Sequence, residues 1–268
     1  MKKTSRVFAF VVVCAAVLIG AYFWFTQQQS ASAPQTEPAA PAASTPPQIQ
    51  PQAAPPPIQH PIEAPVVQET LPTVQDSDTR VAQALSALIG KEAWQTLFFP
   101  EQIVRRIVAT VDNLPRSEAP SKMWPVRPAA AWMETTNQDG KLRLAPANAT
   151  RYAPYMTLLQ ALDMDQLASV YRQLYPLFQQ AYVDLGFPDA YFNDRLVAAI
   201  DDLLAAPELA EPPLLVQKKV RYQFADPELE ARSAGQKIML RIGADNARIV
   251  QRKLRKLRTA ITQPVVAK

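Results

Sequence analysis

The sequence predicts a mainly α-helical bundle domain with a small β element, preceded by a transmembrane helix and a disordered proline-rich linker. Three observations predict it. Val7–Phe25 is apolar and uncharged, 26–75 is rich in proline and contains no glycine, and 76–268 carries apolar residues at helical spacing. We therefore divide the chain into a cytoplasmic tail (1–6), a transmembrane signal-anchor (7–25), a linker (26–75) and a periplasmic domain (76–268).

The anchor is predicted from its length and from the charges that flank it. Val7–Phe25 contains 19 residues, which in a helix span about 28 Å, close to the roughly 30 Å hydrocarbon core of a bilayer. Lys2, Lys3 and Arg6 precede this run, and the next base is Arg80. The positive-inside rule then keeps the N-terminus in the cytoplasm. We expect a single-pass protein of the bacterial inner membrane with its C-terminal domain in the periplasm.

Two other interpretations of the N-terminus are weaker. A cleaved signal peptide has an apolar region of about 7–15 residues, and this run is longer. The best cleavage site, Ala31-Ser32-Ala33, is followed by Pro34, which is unfavourable there. A lipid-modified Cys14 is also unfavourable, because bulky valines precede it and it lies in the middle of the span.

The linker holds 12 of the 26 prolines and three acids but no base. Such a composition buries too little apolar surface to offset the entropy of ordering, and proline-rich chains favour an extended stalk. The alternative is a docking ligand for an aromatic groove, which Pro55-Pro56-Pro57 fits weakly. His60 lies in this stretch, and we expect it to be solvated and inert.

The first half of the domain predicts helices and a hairpin. Asp76-Ser77-Asp78 offers N-cap side chains, and Gly90 ends the helix that follows. A short segment around Trp94 comes next, and Glu101–Asp112 has the apolar spacing of an amphipathic helix. After several prolines, Trp132–Leu144 predicts a hairpin around Asn137-Gln138-Asp139-Gly140.

The second half predicts mostly helices. One covers Asp165–Gly186, with Asp163 and Asp165 as candidate caps, and Pro176 should kink or split it. Pro188 opens the next, which Pro207 closes. Val216–Phe224 alternates between apolar and polar residues and predicts a strand. One last helix is predicted from about Pro227 to Ile261, with Gly235, Gly243 and Asn246 on its apolar side, where the glycines allow close approach and Asn246 needs a buried partner.

Composition excludes several kinds of chemistry. One cysteine and one histidine exclude a disulfide framework, a CxxC site and a nucleophile–histidine–acid triad within the domain. No glycine-rich phosphate loop is present. We therefore expect no catalytic residue, metal or cofactor and predict that the protein is not an enzyme. The alternative is a carboxylate-dependent hydrolase of cell-wall glycan, and its candidate acids are Glu134, Asp163, Asp165, Asp184, Asp201, Asp202, Glu228 and Glu230.

A short run before a predicted helix concentrates polar and aromatic side chains. Asn148, Arg151, Tyr152 and Tyr155 supply an amide, a guanidinium and two phenols, which could hold an anionic or sugar ligand. The structural alternative is that Arg151 pairs with an acid while the tyrosines pack with satisfied hydroxyls.

The last predicted helix carries the strongest charge signal. Between Lys237 and Arg258 there are eight bases and one acid, a net charge of +7. On a helical wheel, one side opposite the apolar stripe gathers five of these bases. Such a stripe can bind an acidic envelope protein, an acidic polymer or anionic lipid, or it can simply be solvated. Because the domain is placed outside the cytoplasm, we expect no nucleic acid partner. The five bases are Lys237, Arg241, Arg248, Arg252 and Arg255.

Several short runs, spread over nearly all of the domain, carry a family resemblance. They are Ser77-Asp78, Asn148 with Arg151-Tyr152 and Pro154-Tyr155, Leu174-Tyr175-Pro176-Leu177, Leu185-Gly186, Arg221-Tyr222 with Phe224 and Asp226, Leu229-Glu230, Gln236-Lys237, Leu240-Arg241-Ile242-Gly243 and Asn246. These runs resemble an uncharacterised Gram-negative family of single-span, periplasm-facing membrane proteins, described as a domain of unknown function. The resemblance implies an anchor, a stalk and a helical periplasmic domain, but no ligand or activity.

From these features we expect a membrane-tethered periplasmic binding or assembly module of the cell envelope. The chain is more loosely similar to energy-transducing proteins that span the periplasm on proline-rich linkers. This linker lacks their alternating acidic and basic proline repeats, and the predicted end domain is too helical.

Overall fold

The computed structural model describes residues 57–62, 70–219 and 221–263. The predicted cytoplasmic tail, the anchor and most of the linker lie outside these residues. Within the described part, no helix is both long enough and apolar enough to cross a bilayer. That part is mainly helical, as predicted, and has two short antiparallel hairpins.

Nine α-helices and four strands follow one another in the described residues, with 3₁₀ turns at Val74–Asp76, Ser121–Met123 and Pro146–Tyr152. In chain order the helices and strands are α1 (Asp78–Ile89), α2 (Lys91–Leu97), α3 (Ile103–Asn113), β1 (Thr135–Gln138), β2 (Lys141–Leu144), α4 (Ala153–Ala161), α5 (Met164–Asp184), α6 (Phe192–Leu204), β3 (Leu215–Lys218), β4 (Arg221–Phe224), α7 (Pro227–Glu230), α8 (Ala234–Arg241) and α9 (Ala244–Thr262).

The main core lies between four helices. α5 packs against α3 and α9, and α6 packs against the same two helices. Each helix contributes an apolar face, and the apolar residues that recur at helical spacing in the sequence pack against those of the neighbouring helices. The buried side chains Ile103, Leu174, Phe192 and Ile261 come from α3, α5, α6 and α9 in turn and are at most 2% exposed. These four helices therefore share one core.

The caps of the first helices differ from the predicted ones. The Ser77 hydroxyl donates to the Val74 carbonyl at 2.8 Å and does not cap α1. The Asp78 carboxylate instead accepts the N–H groups of Gln102 (2.7 Å) and Ile103 (3.1 Å), so that a residue of α1 caps the start of α3. Gly90 ends α1 with a φ of 88°, as predicted.

The longest helix of the described residues, α5, begins at the predicted cap and runs unbroken through its proline. The Asp163 carboxylate accepts the N–H groups of Asp165 and Gln166, which hold its pKa below the usual value. The stabilisation from this cap is therefore present above the unfolded-state pKa of an aspartate and is lost as the pH falls. The predicted split at Pro176 does not occur. Pro176 is exposed, so water can satisfy the carbonyl that it leaves unbonded.

Both β elements are hairpins. The first was predicted, and it turns at Asp139 and Gly140. The prediction of a single strand over 216–224 is wrong, because the chain reverses near Lys219, which has a φ of 58°. The reversal pairs Leu215 with Phe224 and buries both in a small second core with Leu144 and Leu240. Burial of both apolar ends on one side explains why the alternating run folds back on itself.

The prediction of one long C-terminal helix is also wrong, because the chain forms α7, α8 and α9. The Ser233 side chain accepts the Gln236 N–H at 3.0 Å and starts α8. Gly243, with a φ of 90°, separates α8 from α9. This backbone conformation is open to glycine and unfavourable for other residues. The predicted α6 also begins later than expected, at Phe192 rather than at Pro188.

The expected close approach at Gly235 is confirmed. A Cβ at this position would lie 2.8 Å from Leu203 and 3.2 Å from the Leu114 carbonyl oxygen. The Gly235 N–H donates to that carbonyl at 2.8 Å, so α8 packs directly on the end of α3. Asn246 has the inward partner that was predicted, since its amide donates to the Ala149 carbonyl at 3.0 Å.

Part of the predicted linker lies against the domain. Ile62 packs on the main core, and Val74 is buried within it. The prediction that His60 is solvated is wrong: this residue is half-buried, and its N–H and carbonyl groups are both bonded to α6.

Candidate functional site

The Arg151 side chain holds a neighbouring loop by its backbone. The guanidinium donates to the carbonyls of Ala130 and Ala131, both at 2.9 Å, and to the Asn148 side-chain oxygen at 3.3 Å. It also lies over the Tyr152 ring, 5.8 Å from the centroid. The alternative in which Arg151 pairs with an acid is therefore wrong. The guanidinium binds backbone carbonyls and the Asn148 side chain instead.

Asn148 and Tyr155 hold the two ends of the same loop, at Glu134 and at Arg127. Asn148 is 1% exposed. Its side chain accepts the Glu134 N–H at 3.0 Å and donates to the carbonyls of Glu134 (2.6 Å) and Ala145 (2.8 Å). The Tyr155 hydroxyl donates to the Arg127 carbonyl at 2.7 Å, and burial raises the pKa of this tyrosine. Three of the four residues predicted to bind a ligand thus fix residues 127–134.

Residues 127–134, which we call the Trp132 loop, present one large apolar side chain to solvent. Trp132 is 91% exposed, whereas indole rings in folded domains are mostly buried. Ala131 beside it has a φ of 60°, a conformation that costs about 1 kcal/mol or more for a residue with a Cβ. The sequence analysis used Trp132 only as the start of a hairpin and missed it as a candidate site. The available signal was a tryptophan between alanines and a polar strand.

Replacing Asn148 with alanine is expected to loosen the Trp132 loop and to destabilise the domain by about 1–3 kcal/mol, because two carbonyls and one N–H lose their buried partner. Hydrogen exchange would show faster exchange at Glu134, and urea denaturation would give the free energy. Thr150→Ala is the matched control, since Thr150 lies in the same 3₁₀ turn, is exposed and bonds only the Ala147 carbonyl. Equal effects of both variants would contradict the assigned role of Asn148.

Two of the five bases predicted to form a binding stripe have structural roles on α8. The Lys237 ammonium donates to the Glu230 carbonyl at 3.2 Å and lies 3.9 Å from the Glu230 carboxylate. The Arg241 guanidinium lies 5.0 Å from the centroid of the Phe224 ring, and burial lowers its pKa. Because Gly243 ends α8, these two bases do not continue the face of α9.

The remaining predicted bases lie on the exposed side of α9. Arg248 is neutralised by Glu208 and by Asp245, the latter at 2.7 Å, and Glu208 raises the pKa of Arg248. Arg252 and Arg255 are exposed, as is Lys256. None of these three side chains forms a hydrogen bond or ion pair with another residue of the described ranges. We call Arg252, Arg255 and Lys256 the open basic face.

A shallow groove of about 650 Å³ adjoins this face. Arg255, Lys256 and Lys253 line one side of it, and the connection between α4 and α5 lines the other. The Lys253 ammonium donates to the carbonyls of Gln160 (2.9 Å) and Leu162 (2.6 Å), so Lys253 is not available to a ligand. The positive charge of Lys256 helps to lower the pKa of Asp163 across the groove.

Three of the predicted site residues also meet in a smaller cleft. Asn148, Arg241 and Arg248 line a cavity of about 130 Å³ together with the proline-rich segment 207–213. The polar groups of Asn148 and Arg248 already have the partners described above, and the Arg241 guanidinium lies over the Phe224 ring. The cleft therefore offers apolar surface with few free donors.

The acids considered for hydrolysis mostly serve the fold. Asp201 forms a two-pronged pair with Arg258, at 2.6 and 3.0 Å. Asp202 accepts from the Ser233 hydroxyl at 2.6 Å and from the Gln236 amide at 3.0 Å. Asp163 caps α5, Asp184 accepts from Gln180, and Glu230 accepts from the Phe224 N–H. Within the described residues, no group of three or more metal-binding side chains is found.

Comparison with known families places the domain. The sequence model of the family described as "Protein of unknown function (DUF3014)" matches residues 103–258, which include every site residue discussed above. The chain belongs to the DUF3014 family. Searches of curated proteins and of solved structures found no match. The family description carries no activity or ligand, so function has to be argued from the surfaces of the domain.

Proposed function

We propose that this DUF3014 protein is a membrane-tethered binding module of the Gram-negative cell envelope. A single N-terminal span anchors it in the inner membrane, and the helical domain engages an acidic protein partner in the periplasm. The apolar run at Val7–Phe25 and the bases before it support the anchor and its orientation.

Trp132 carries this proposal. Tryptophan is enriched among the residues that dominate binding energy at protein interfaces. The loop that bears it is held by Arg151, Asn148 and Tyr155, so little entropy is lost when a partner covers the indole. Arg151 also donates to the Ala131 carbonyl and holds this residue in its unfavourable conformation, which supports a neighbouring side chain held ready for contact.

The open basic face selects the sign of the partner's charge. Arg252, Arg255 and Lys256 have no compensating hydrogen-bonded acid in the described part of the domain, so they can steer an acidic surface. The roles of Asp163, Asp201 and the other paired acids in the fold favour a binding module over a carboxylate-dependent hydrolase.

A photo-cross-linking experiment tests the proposal with the full chain in cells. The photoreactive residue p-benzoylphenylalanine replaces Trp132, and we expect a discrete adduct with one protein. The matched control position is Lys141, which is exposed on the adjacent hairpin and should give no adduct. Adducts of equal yield at both positions, labelling of lipid alone, or no adduct would refute a protein partner at Trp132.

Once that partner is identified, Trp132→Ala is expected to weaken binding about 30-fold, the equivalent of about 2 kcal/mol. The triple variant Arg252→Glu, Arg255→Glu, Lys256→Glu should slow association and remove most of its salt dependence. An unchanged association rate would remove the open basic face from the proposal while leaving the Trp132 contact intact.

A further inference from the structure

A short piece of the predicted linker is bound at the start of α6 and bends at Gln59 and His60. The Gln59 and His60 N–H groups donate to the two oxygens of the Asp194 carboxylate, at 3.0 and 2.7 Å. The Ile62 N–H donates to the Tyr191 hydroxyl at 2.8 Å. The Asn193 amide donates to the His60 carbonyl at 2.9 Å. We call residues 57–62 the docked segment.

The side chains that hold this segment form a built site. Asn193 is 0% exposed, and its oxygen accepts the Tyr171 hydroxyl at 3.1 Å. Its amide also donates to the Ile261 carbonyl at 3.2 Å, at the end of α9. A buried amide with every partner in place is rigid. Two of the three hydrogen bonds of the Asn193 side chain are made to the core and one to the segment, so the core still holds this side chain when the segment leaves.

Recognition rests on the main chain and on one apolar side chain. Four hydrogen bonds reach backbone groups of the segment, and Ile62 packs against the main core. Ile58 is 54% exposed and contributes little. Pro61 fits because no bond is made to its nitrogen. As in other modes of peptide recognition, bonds to the main chain contribute affinity and the apolar contact of Ile62 contributes selectivity.

We propose that Tyr191, Asn193 and Asp194 form a recognition site for a short peptide that bends at two successive residues, and that residues 57–62 of this chain are its built-in ligand. The peptide needs free N–H groups at the positions of Gln59, His60 and Ile62 and an aliphatic side chain at the last of these. The docked segment acts as a latch, which fixes the linker to the domain near residue 57 rather than near residue 70.

The test uses the full chain in detergent micelles and a labelled synthetic peptide covering residues 55–64. In the variant Ile62→Glu the built-in ligand is disabled, and the peptide should bind about 10-fold more tightly than to the unmodified chain. That factor follows from an effective concentration of about 1 mM for the tethered segment against an affinity on the order of 0.1 mM for the peptide. Hydrogen exchange at Gln59 and His60 should accelerate at least about 10-fold in the same variant.

Two further substitutions make the result specific. Added to Ile62→Glu, Asp194→Ala should abolish peptide binding, whereas Asp189→Ala, an exposed acid just before α6, should leave it unchanged. Gln59→Pro removes one N–H donor without touching the core, and it should release the segment even if Ile62→Glu impairs folding. Equal peptide binding by the unmodified chain and by both release variants, or binding that survives Asp194→Ala, would overturn the proposal. None of these outcomes depends on the partner of Trp132.

Discussion

Replacing Asp112 with alanine is expected to lower the free energy of unfolding by about 3–5 kcal/mol. The Asp112 side chain is 6% exposed and lies between two guanidinium groups, 3.0 Å from Arg195 and 2.6 Å from Arg116. Arg195 also donates to the Asp112 carbonyl. These contacts join α3 to α6. Without the carboxylate, Arg195, which is 24% exposed, keeps its charge in a poorly solvated position.

Urea denaturation of residues 53–268, monitored by far-UV circular dichroism, would measure the decrease in the free energy of unfolding. Asp245→Ala is the control, because Asp245 pairs with Arg248 at the surface and such pairs contribute little. The double variant Asp112→Ala, Arg195→Ala should lose less than the sum of the two single variants, since the unpaired charge is removed with its partner. A loss from Asp112→Ala as small as that from Asp245→Ala would contradict the buried-pair interpretation.

Local patterns in the sequence predicted the elements whose causes are local. The helix before Gly90, the amphipathic α3, the Asp163 cap and the first hairpin each follow from a few neighbouring residues. The errors arose where distant contacts decide. The long apolar stripe after Pro227 was interpreted as one helix, but Gly243 breaks it with a φ of 90°. The close approach that was expected at Gly243 is present, because a Cβ there would lie 3.2 Å from the Ala149 Cβ.

The predicted strand over 216–224 shows the same limit. Its alternation was correct, but alternation does not reveal a reversal within the run. Leu215 and Phe224 meet because Leu144 and Leu240, from elements far along the chain, offer them a common core. Spacing within the run could not predict that pairing.

The sequence identified the hydrogen-bond donors of the candidate site but not what they bind. Asn148, Arg151 and Tyr155 were selected as donors grouped before a helix, which they are. Their acceptors are mostly backbone carbonyls of the Trp132 loop, some 14–28 residues earlier in the chain for Glu134, Ala130 and Arg127. Backbone carbonyls carry no sequence signature, so an acid was expected where none lies. The exposure of Trp132 depends on that fixation, so the position of this residue in the sequence was only a weak signal.

The docked segment was predicted from its composition to be disordered, and this prediction failed for a related reason. A proline-rich stretch without bases predicts no globular core of its own, and residues 57–62 have none. Asp194, Asn193 and Tyr191 hold them through hydrogen bonds to the main chain. Prolines cannot donate such bonds, but Gln59, His60 and Ile62 keep the N–H groups that the site binds.

The second large effect is expected in the core next to that site. Phe192→Ala should destabilise the domain by about 3–5 kcal/mol. Phe192 is 1% exposed, its ring lies 5.9 Å from Phe178 and 5.6 Å from Tyr182, and it lines an apolar cavity of about 140 Å³. The space left by the ring would join this cavity, and the four surrounding helices cannot all move inward to fill it.

Phe187→Ala is the matched control for this substitution. Phe187 stacks on the same Tyr182 at 4.7 Å but is only partly buried, so its loss should cost clearly less. Benzene should bind the enlarged apolar cavity of Phe192→Ala and raise its melting temperature without affecting the unmodified domain, because a ligand that binds only the folded state stabilises it. Equal losses for the two variants, with no benzene effect, would mean that the core closes around the missing ring. Because Asn193 follows Phe192 directly, such closure would also move the site that holds the docked segment and accelerate exchange at His60.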